Sequence, residues 1–168
     1  METEEDRYFM RLALAQAQEA FDAGEVPVGA VLVRGGQVIA AGRNRREQAG
    51  NALAHAEIEA INGGAEALGG WRLPGCTLYV TLEPCPMCAG AVYNARIERL
   101  VYGCADRNNG ACGSVCDMNE IFYNHKAETV GGVLAGEAQA LLDRFFAGLR
   151  ERKKAEKRAA RSREQQTE

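Results

Sequence analysis

Apolar positions mark out the elements of this chain before any chemistry is considered. Phe9, Leu12, Ala13, Ala17, Ala20 and Phe21 recur at helical spacing, and Gly24 closes that helix. The pattern then changes. VPVGAVLV and QVIAAG are two β-rich runs around a Gly-Gly pair, which predicts a hairpin. After a polar loop from Asn44 to Asn51, HAEIEAINGGAEAL predicts a helix weakened by two glycines, and TLYVTL a short buried strand. Proline suits a first helical turn, so Pro84 is expected to open a helix that continues through CPMCAGAVYNA. RLVYG reads as another short strand. Residues 103–119, rich in Gly, Asn and Cys and without a period, read as loop. Leu134, Ala138, Leu141, Leu142, Phe145, Phe146 and Leu149 form one stripe of a long amphipathic helix. Strands alternating with helices predict a layered α/β domain.

Composition narrows the class. With 168 residues, 46% of them hydrophobic and 26% charged, the chain can bury a core without disulfide help. The start, METEEDRYFM, lacks the basic and then apolar order of a signal peptide, and no apolar run approaches the roughly 20 residues of a membrane helix. A cytoplasmic protein is expected, and in that reducing compartment a close cysteine pair binds metal or does redox work. Charge is unevenly spread. RERKKAEKRAARSR, from Arg150 to Arg163, carries eight basic residues against two acidic ones, so it holds +6, which leaves −9 on the rest of a chain whose net charge is −3. Such a stretch fits a phosphate-bearing partner, and equally a solvated helical face.

The chemistry gathers at two short segments. In LEPCPMCAG, Cys85 and Cys88 stand three apart at a helix start, where the dipole and unpaired N–H groups favour thiolate. Alone, the pair could be half of a zinc site, a redox dithiol or two buried sulfurs. Zinc in a catalytic site takes three protein ligands and leaves one position open. His55 and His125 are the histidines of the chain, and His55 opens the AHAEIEAI helix with Glu57 two residues on. Residues two apart on a helix point to nearly opposite sides, so Glu57 is poorly placed as a co-ligand. It is well placed to work as a base over a metal lying off the helix end. His55, Cys85 and Cys88 as ligands and Glu57 as base describe a hydrolytic zinc site. A structural zinc staple would want a second cysteine pair, and a dithiol would leave HAE unexplained. Cys104, Cys112 and Cys116 fit no common metal spacing and read as free thiols by a loop, and Cys76 as a small buried residue.

HxE followed by PCxxC is the signature of zinc nucleobase deaminases. The chain more closely resembles the bacterial tRNA adenosine deaminases of the cytidine and deoxycytidylate deaminase superfamily. EVPVGAVLV, GRNR, AHAEI, TLYVTLEPCPMCAGA, YGCAD, YNH and GVLAGEAQALLDRFF carry the likeness. Asn51, Ala52 and Leu53 depart from it, standing where the family usually has Asp-Pro-Thr. The resemblance implies a three-layer α/β/α cytidine-deaminase-like fold with a central mixed sheet, and a homodimer with composite active sites. It implies one Zn2+ per subunit on His55, Cys85 and Cys88, with Glu57 moving protons. It also implies hydrolytic conversion of adenosine to inosine at the wobble position of a tRNA anticodon. Asn44 looks like the residue that reads the target base, though by itself it would be read as capping a turn after the hairpin. Asp106 looks like the residue near the flanking sugar and phosphate. Tyr123, Asn124 and His125 suggest RNA contact, whereas His125 alone reads as a polar surface or capping residue. Residues 1–149 are expected to form the deaminase domain, and 150–168 a basic helical tail continuous with the last helix. Two other functions compete: a deaminase of a free nucleobase or nucleoside such as guanine or cytosine, and a zinc-stapled RNA-binding scaffold without activity. The basic tail argues against the first, and Glu57 against the second.

Overall fold

A capping box starts the first helix: the Thr3 hydroxyl accepts from the Asp6 N–H while the Asp6 carboxylate accepts from the Thr3 N–H. This helix, α1 (Glu4–Asp22), leads into the hairpin β1 (Gly29–Arg34) and β2 (Gln37–Arg43). There follow α2 (Arg46–Ala49), α3 (Ala56–Leu68), β3 (Cys76–Leu82), α4 (Pro86–Asn94) and β4 (Arg99–Cys104). The chain ends with α5 (Met118–Ile121), β5 (Glu128–Gly131) and α6 (Ala135–Gln165). The computed structural model describes residues 2–121 and 124–165, so Tyr123 lies outside the described residues.

The five strands form one mixed sheet in the order β2-β1-β3-β4-β5, antiparallel on the hairpin side and parallel from β3 onward. Alternation along the strands sends side chains to two cores. Leu32, Leu78, Val80 and Leu100 pack with Ala56, Ala60 and Val92 of α3 and α4. Val31, Val33, Tyr79 and Val101 face Phe9, Met10 and Ala13 of α1, and Val133 and Leu134 at the entry to α6. The layers are therefore helix, sheet, helix. Close approach is built in: a Cβ at Gly29 would overlap the α1 backbone at Ala13 and Ala17, and one at Gly42 the α3 backbone at Ala56 and Ala60.

Three local expectations change. The fourth helix opens at Pro86 and not at Pro84. Proline at 86 disfavours helical backbone at Cys85, which stays extended as the N-cap, and Pro86 fills the first helical position where its missing N–H costs nothing. The polar loop after the hairpin contains α2, and the 103–119 stretch contains the end of β4 and the start of α5. Between them Cys112 and Asp117 form an isolated antiparallel bridge. No run had marked β5, which pairs in parallel with Arg99–Tyr102 at the sheet edge. The stripe on α6 buries Ala138, Leu141, Leu142 and Phe145 and fades at Leu149, beyond which residues 150–163 are exposed. Among the described residues, no helix is long and apolar enough to cross a membrane.

Candidate active site

The helix starts of α3 and α4 face each other at one end of the sheet. His55 is the N-cap of α3 and Cys85 the N-cap of α4, both with extended backbone, and Cys88 lies in the first turn of α4. His55 Nδ1 stands 3.8 Å from Cys85 Sγ and 3.5 Å from Cys88 Sγ. The three donor atoms lie within 4.8 Å of one another, and they are the group among the described residues arranged to hold a metal ion. Cys104 and Cys112 sit elsewhere, buried and half-buried, and burial pushes their thiols up to about 11 and about 12, away from ligand character. Cys116 is exposed.

One sulfur of the donor set is held as thiolate and the other as thiol. The hydrogen bond from the Cys88 thiol pulls Cys85 down to about 4, and the same bond, with burial, pushes Cys88 up. The two sulfurs share one proton, which a bound metal would displace. The hydrogen bond with Cys85 also raises His55, against its partial burial.

Glu57 is 4% exposed and follows His55 into the first turn of α3. Because His55 precedes the helix proper, the rule that residues two apart face opposite sides does not separate them. Burial pushes the Glu57 carboxyl up to about 7, while the neighbouring His55 charge and a hydrogen bond with the Cys88 thiol pull it back. An acid near neutrality beside a sulfur of the candidate donor set is poised to take up and release a proton.

His55, Glu57 and Cys85 line an open cavity of about 710 Å³. Asn44 and Asp106 line it too, on loops that reach it from different strands. Asn44 is buried; its Nδ2 donates to the Val26 carbonyl at 3.1 Å and its Oδ1 accepts from the Arg46 N–H at 3.3 Å. It caps a turn and faces the cavity at once. Asp106 Oδ1 accepts from the N–H groups of Asn108 and Asn109, shaping the 106–110 turn. Asn51, Ala52 and Leu53 are exposed and outside the cavity wall. His125 is also outside it, holding the Ile97 carbonyl at 2.6 Å beside the Tyr93 ring.

Several wall residues had escaped the sequence reading. Arg46 and Arg107 stand on the two loops, and Gln139, Leu142 and Phe146 show that α6 closes one side. Two buried carboxylates brace the loops. Glu25 accepts from the N–H groups of Glu47 and Gln48 at 3.2 and 2.7 Å. Glu83 accepts from the N–H groups of Asp106, Cys112 and Ser114 and from the Ser114 hydroxyl. Burial alone would raise the Glu83 carboxyl, but Ser114 and these N–H donors hold it below the usual range. A lone charge placed directly after the apolar TLYVTL was the available signal.

Residues 4–150 match the model of the MafB19-like deaminase family. A tRNA-specific adenosine deaminase of Bacillus subtilis is 48% identical over 152 residues, spanning 90% of this chain and 94% of that protein. A solved structure described as belonging to studies of A-to-I editing by tRNA:A34 deaminases at the wobble position superposes with a TM-score of 0.75 at 44% identity. It covers 80% of this chain and 99% of its own. A guanine deaminase structure from Bacillus subtilis is 39% identical, with a TM-score of 0.57 over 62% of this chain and 66% of its own.

Proposed function

The chain belongs to the MafB19-like deaminase family with the tRNA-specific adenosine deaminases among its relatives, and from that premise we propose that it converts adenosine to inosine at the wobble position of a tRNA anticodon, releasing ammonia. One observation supports this reading above the others. A buried carboxyl near neutrality, Glu57, sits against three metal-type donors at the wall of a cavity open to a large substrate.

His55, Cys85 and Cys88 would hold zinc, whose softness for sulfur and imidazole suits this set. Bound there, zinc supplies a Lewis acid that brings a water's pKa from about 15.7 toward 7. Glu57 accepts a proton from the attacking water and delivers it to N1 of the adenine as the oxygen adds at C6. Glu57 then takes the second proton, from the hydroxyl now on C6, and gives it to the exocyclic nitrogen; the C6 carbonyl forms as the C6–N bond breaks, and ammonia leaves. Low exposure keeps Glu57 from losing that proton to bulk water. Asn44 keeps an amide hydrogen and a lone pair beyond its turn bonds for the edge of the target base. Asp106, with Arg107 beside it, would meet the flanking sugar and phosphate. A base in a stacked duplex lies out of reach, and an anticodon loop presents it already splayed.

The finer calls follow from the same reading. The exposed basic extension of α6, from Arg150 onward, would track phosphates of the tRNA. A homodimer and a cytoplasmic location go with the family and with six free cysteines. The competing free-base reading has the guanine deaminase likeness in its favour. Purified protein incubated with an anticodon stem-loop should form inosine and leave free adenosine, guanine and cytidine unchanged. Deamination of guanine with the stem-loop untouched would replace this function with the other.

A further inference from the structure

We propose that Glu83 is a positioning residue for RNA capture: its carboxylate holds the 105–114 loop in the shape of one cavity wall. The inference rests on the tRNA reading and adds to it a residue of the cavity wall whose acceptor sites are all taken by the loop. Glu83 is 2% exposed and follows β3 directly, on the approach to Cys85. Its Oε1 accepts from the N–H groups of Cys112 at 2.9 Å and Ser114 at 3.1 Å. Its Oε2 accepts from the Asp106 N–H at 3.0 Å and from the Ser114 hydroxyl. A carboxylate has about four acceptor sites, so none is left for a ligand or an ion.

Those four bonds tie both ends of the loop to one side chain. The Ala111 N–H adds a tether to the Pro84 carbonyl at 2.8 Å. The loop closes onto the carboxylate so tightly that a Cβ at Gly110 would overlap Glu83 Oε2. What the loop then presents to the cavity is Asp106, Arg107, Asn108 and Asn109. An isosteric amide cannot do the same work. Glutamine offers one accepting oxygen and turns two N–H groups against backbone donors that have no other partner among the described residues.

The loosened loop would occupy its competent shape for a smaller fraction of the time, and apparent affinity falls by that fraction. Glu83→Gln should raise KM for an anticodon stem-loop roughly 5- to 30-fold, the factor that corresponds to losing one or two such bonds. Stem-loop binding, read by fluorescence anisotropy, should weaken by the same factor, with zinc content and kcat at saturating RNA nearly unchanged. Ser114→Ala, which keeps the carboxylate and its three backbone donors, should move KM in the same direction by less. Combining Glu83→Gln with Asp106→Ala should give a KM no worse than the worse single variant, since both act through one wall. Zinc lost in step with activity in both Glu83→Gln and Ser114→Ala would overturn the proposal. So would an unchanged KM, or effects of Glu83→Gln and Asp106→Ala that multiply. Inosine formation by the unaltered protein tests the function separately, and anisotropy judges Glu83 even if that test fails.

Discussion

Asp6→Asn should cost roughly 2 to 3 kcal/mol of folding stability at neutral pH, and the loss should fade in acid. Asp6 is 1% exposed and joins the outer helix α1 to the middle of the sheet. Its two oxygens take the Arg99 guanidinium at 2.6 and 3.1 Å, the Tyr79 hydroxyl at 3.0 Å and the Thr3 N–H at 3.0 Å. Burial alone would raise its pKa; the Arg99 bonds, with those of Thr3 and Tyr79, outweigh it and hold the carboxyl at about 2 against an ordinary 3.8. At about 1.36 kcal/mol per pH unit, that gap gives the stated cost. Breaking a buried pair costs about 3–5 kcal/mol when the other charge is stranded. Arg99 keeps Glu128 at 3.5 Å and remains partly exposed, so the lower figure applies.

The sign follows from the depressed folded pKa. Ionised Asp6 contributes its full stability above the unfolded pKa near 3.8 and loses it as pH falls through about 2. Urea unfolding of both forms, followed by circular dichroism, should therefore show the same difference at pH 7 and pH 5. By pH 3 it should have fallen to about half. Metal release in acid affects both forms and cancels in the difference. A difference below about 0.5 kcal/mol at pH 7, the scale of an ordinary surface change, would refute the reasoning. A difference just as large at pH 3 would do the same.

Cys88→Ala should lose most of its zinc by elemental analysis, whereas changing Cys104, Cys112 and Cys116 together to Ser should leave about one zinc per chain. Glu57→Gln should keep zinc and fold while turnover falls by at least the roughly 10²–10⁴-fold that a general acid/base supplies; near-normal turnover with zinc present would remove Glu57 from the reaction. Ending the chain after Leu149 should raise KM for the stem-loop and flatten the slope of log affinity against log salt by roughly 1 to 3, since each phosphate contact contributes about 0.7 on single strands. The kcat of that shortened form should not change, and an unchanged slope would retire the tail as an RNA-binding element.

The parts of the fold legible in the sequence are those whose signal lies within one element. β1 and β3 are continuous apolar runs because both faces are covered, and α1 shows its buried stripe over five turns. β5 is four residues, ETVG, with none buried, and it is a strand through its parallel pairing with β4. α2 is equally silent. Its Arg46 N–H goes to Asn44, and those of Glu47 and Gln48 to Glu25, whose carboxylate comes from the other side of the hairpin. Two prolines near one cysteine pair were resolved the wrong way because Pro84 and Pro86 both suit a helix start. The backbone of Cys85 decides between them.

The site divides along the same line. Its candidate ligands come from two short segments, each beginning a helix, so spacing alone brings two of them together where the dipole favours thiolate. Glu25 and Glu83 have their partners 22 to 31 residues away, and a charge beside an apolar strand reads as a solvated end. Yet the 105–114 loop needs a residue of just this kind. It turns three N–H groups inward with no strand to receive them, and leaving each unpaired would cost about 1–3 kcal/mol. Water could satisfy them one at a time but would not fix their arrangement. A carboxylate accepts at about four positions and donates at none, so one side chain both pays the polar debt and sets the loop's shape. That is why a buried charge stands next to the candidate thiol ligands without joining them: this wall of the cavity is built from the acceptor side.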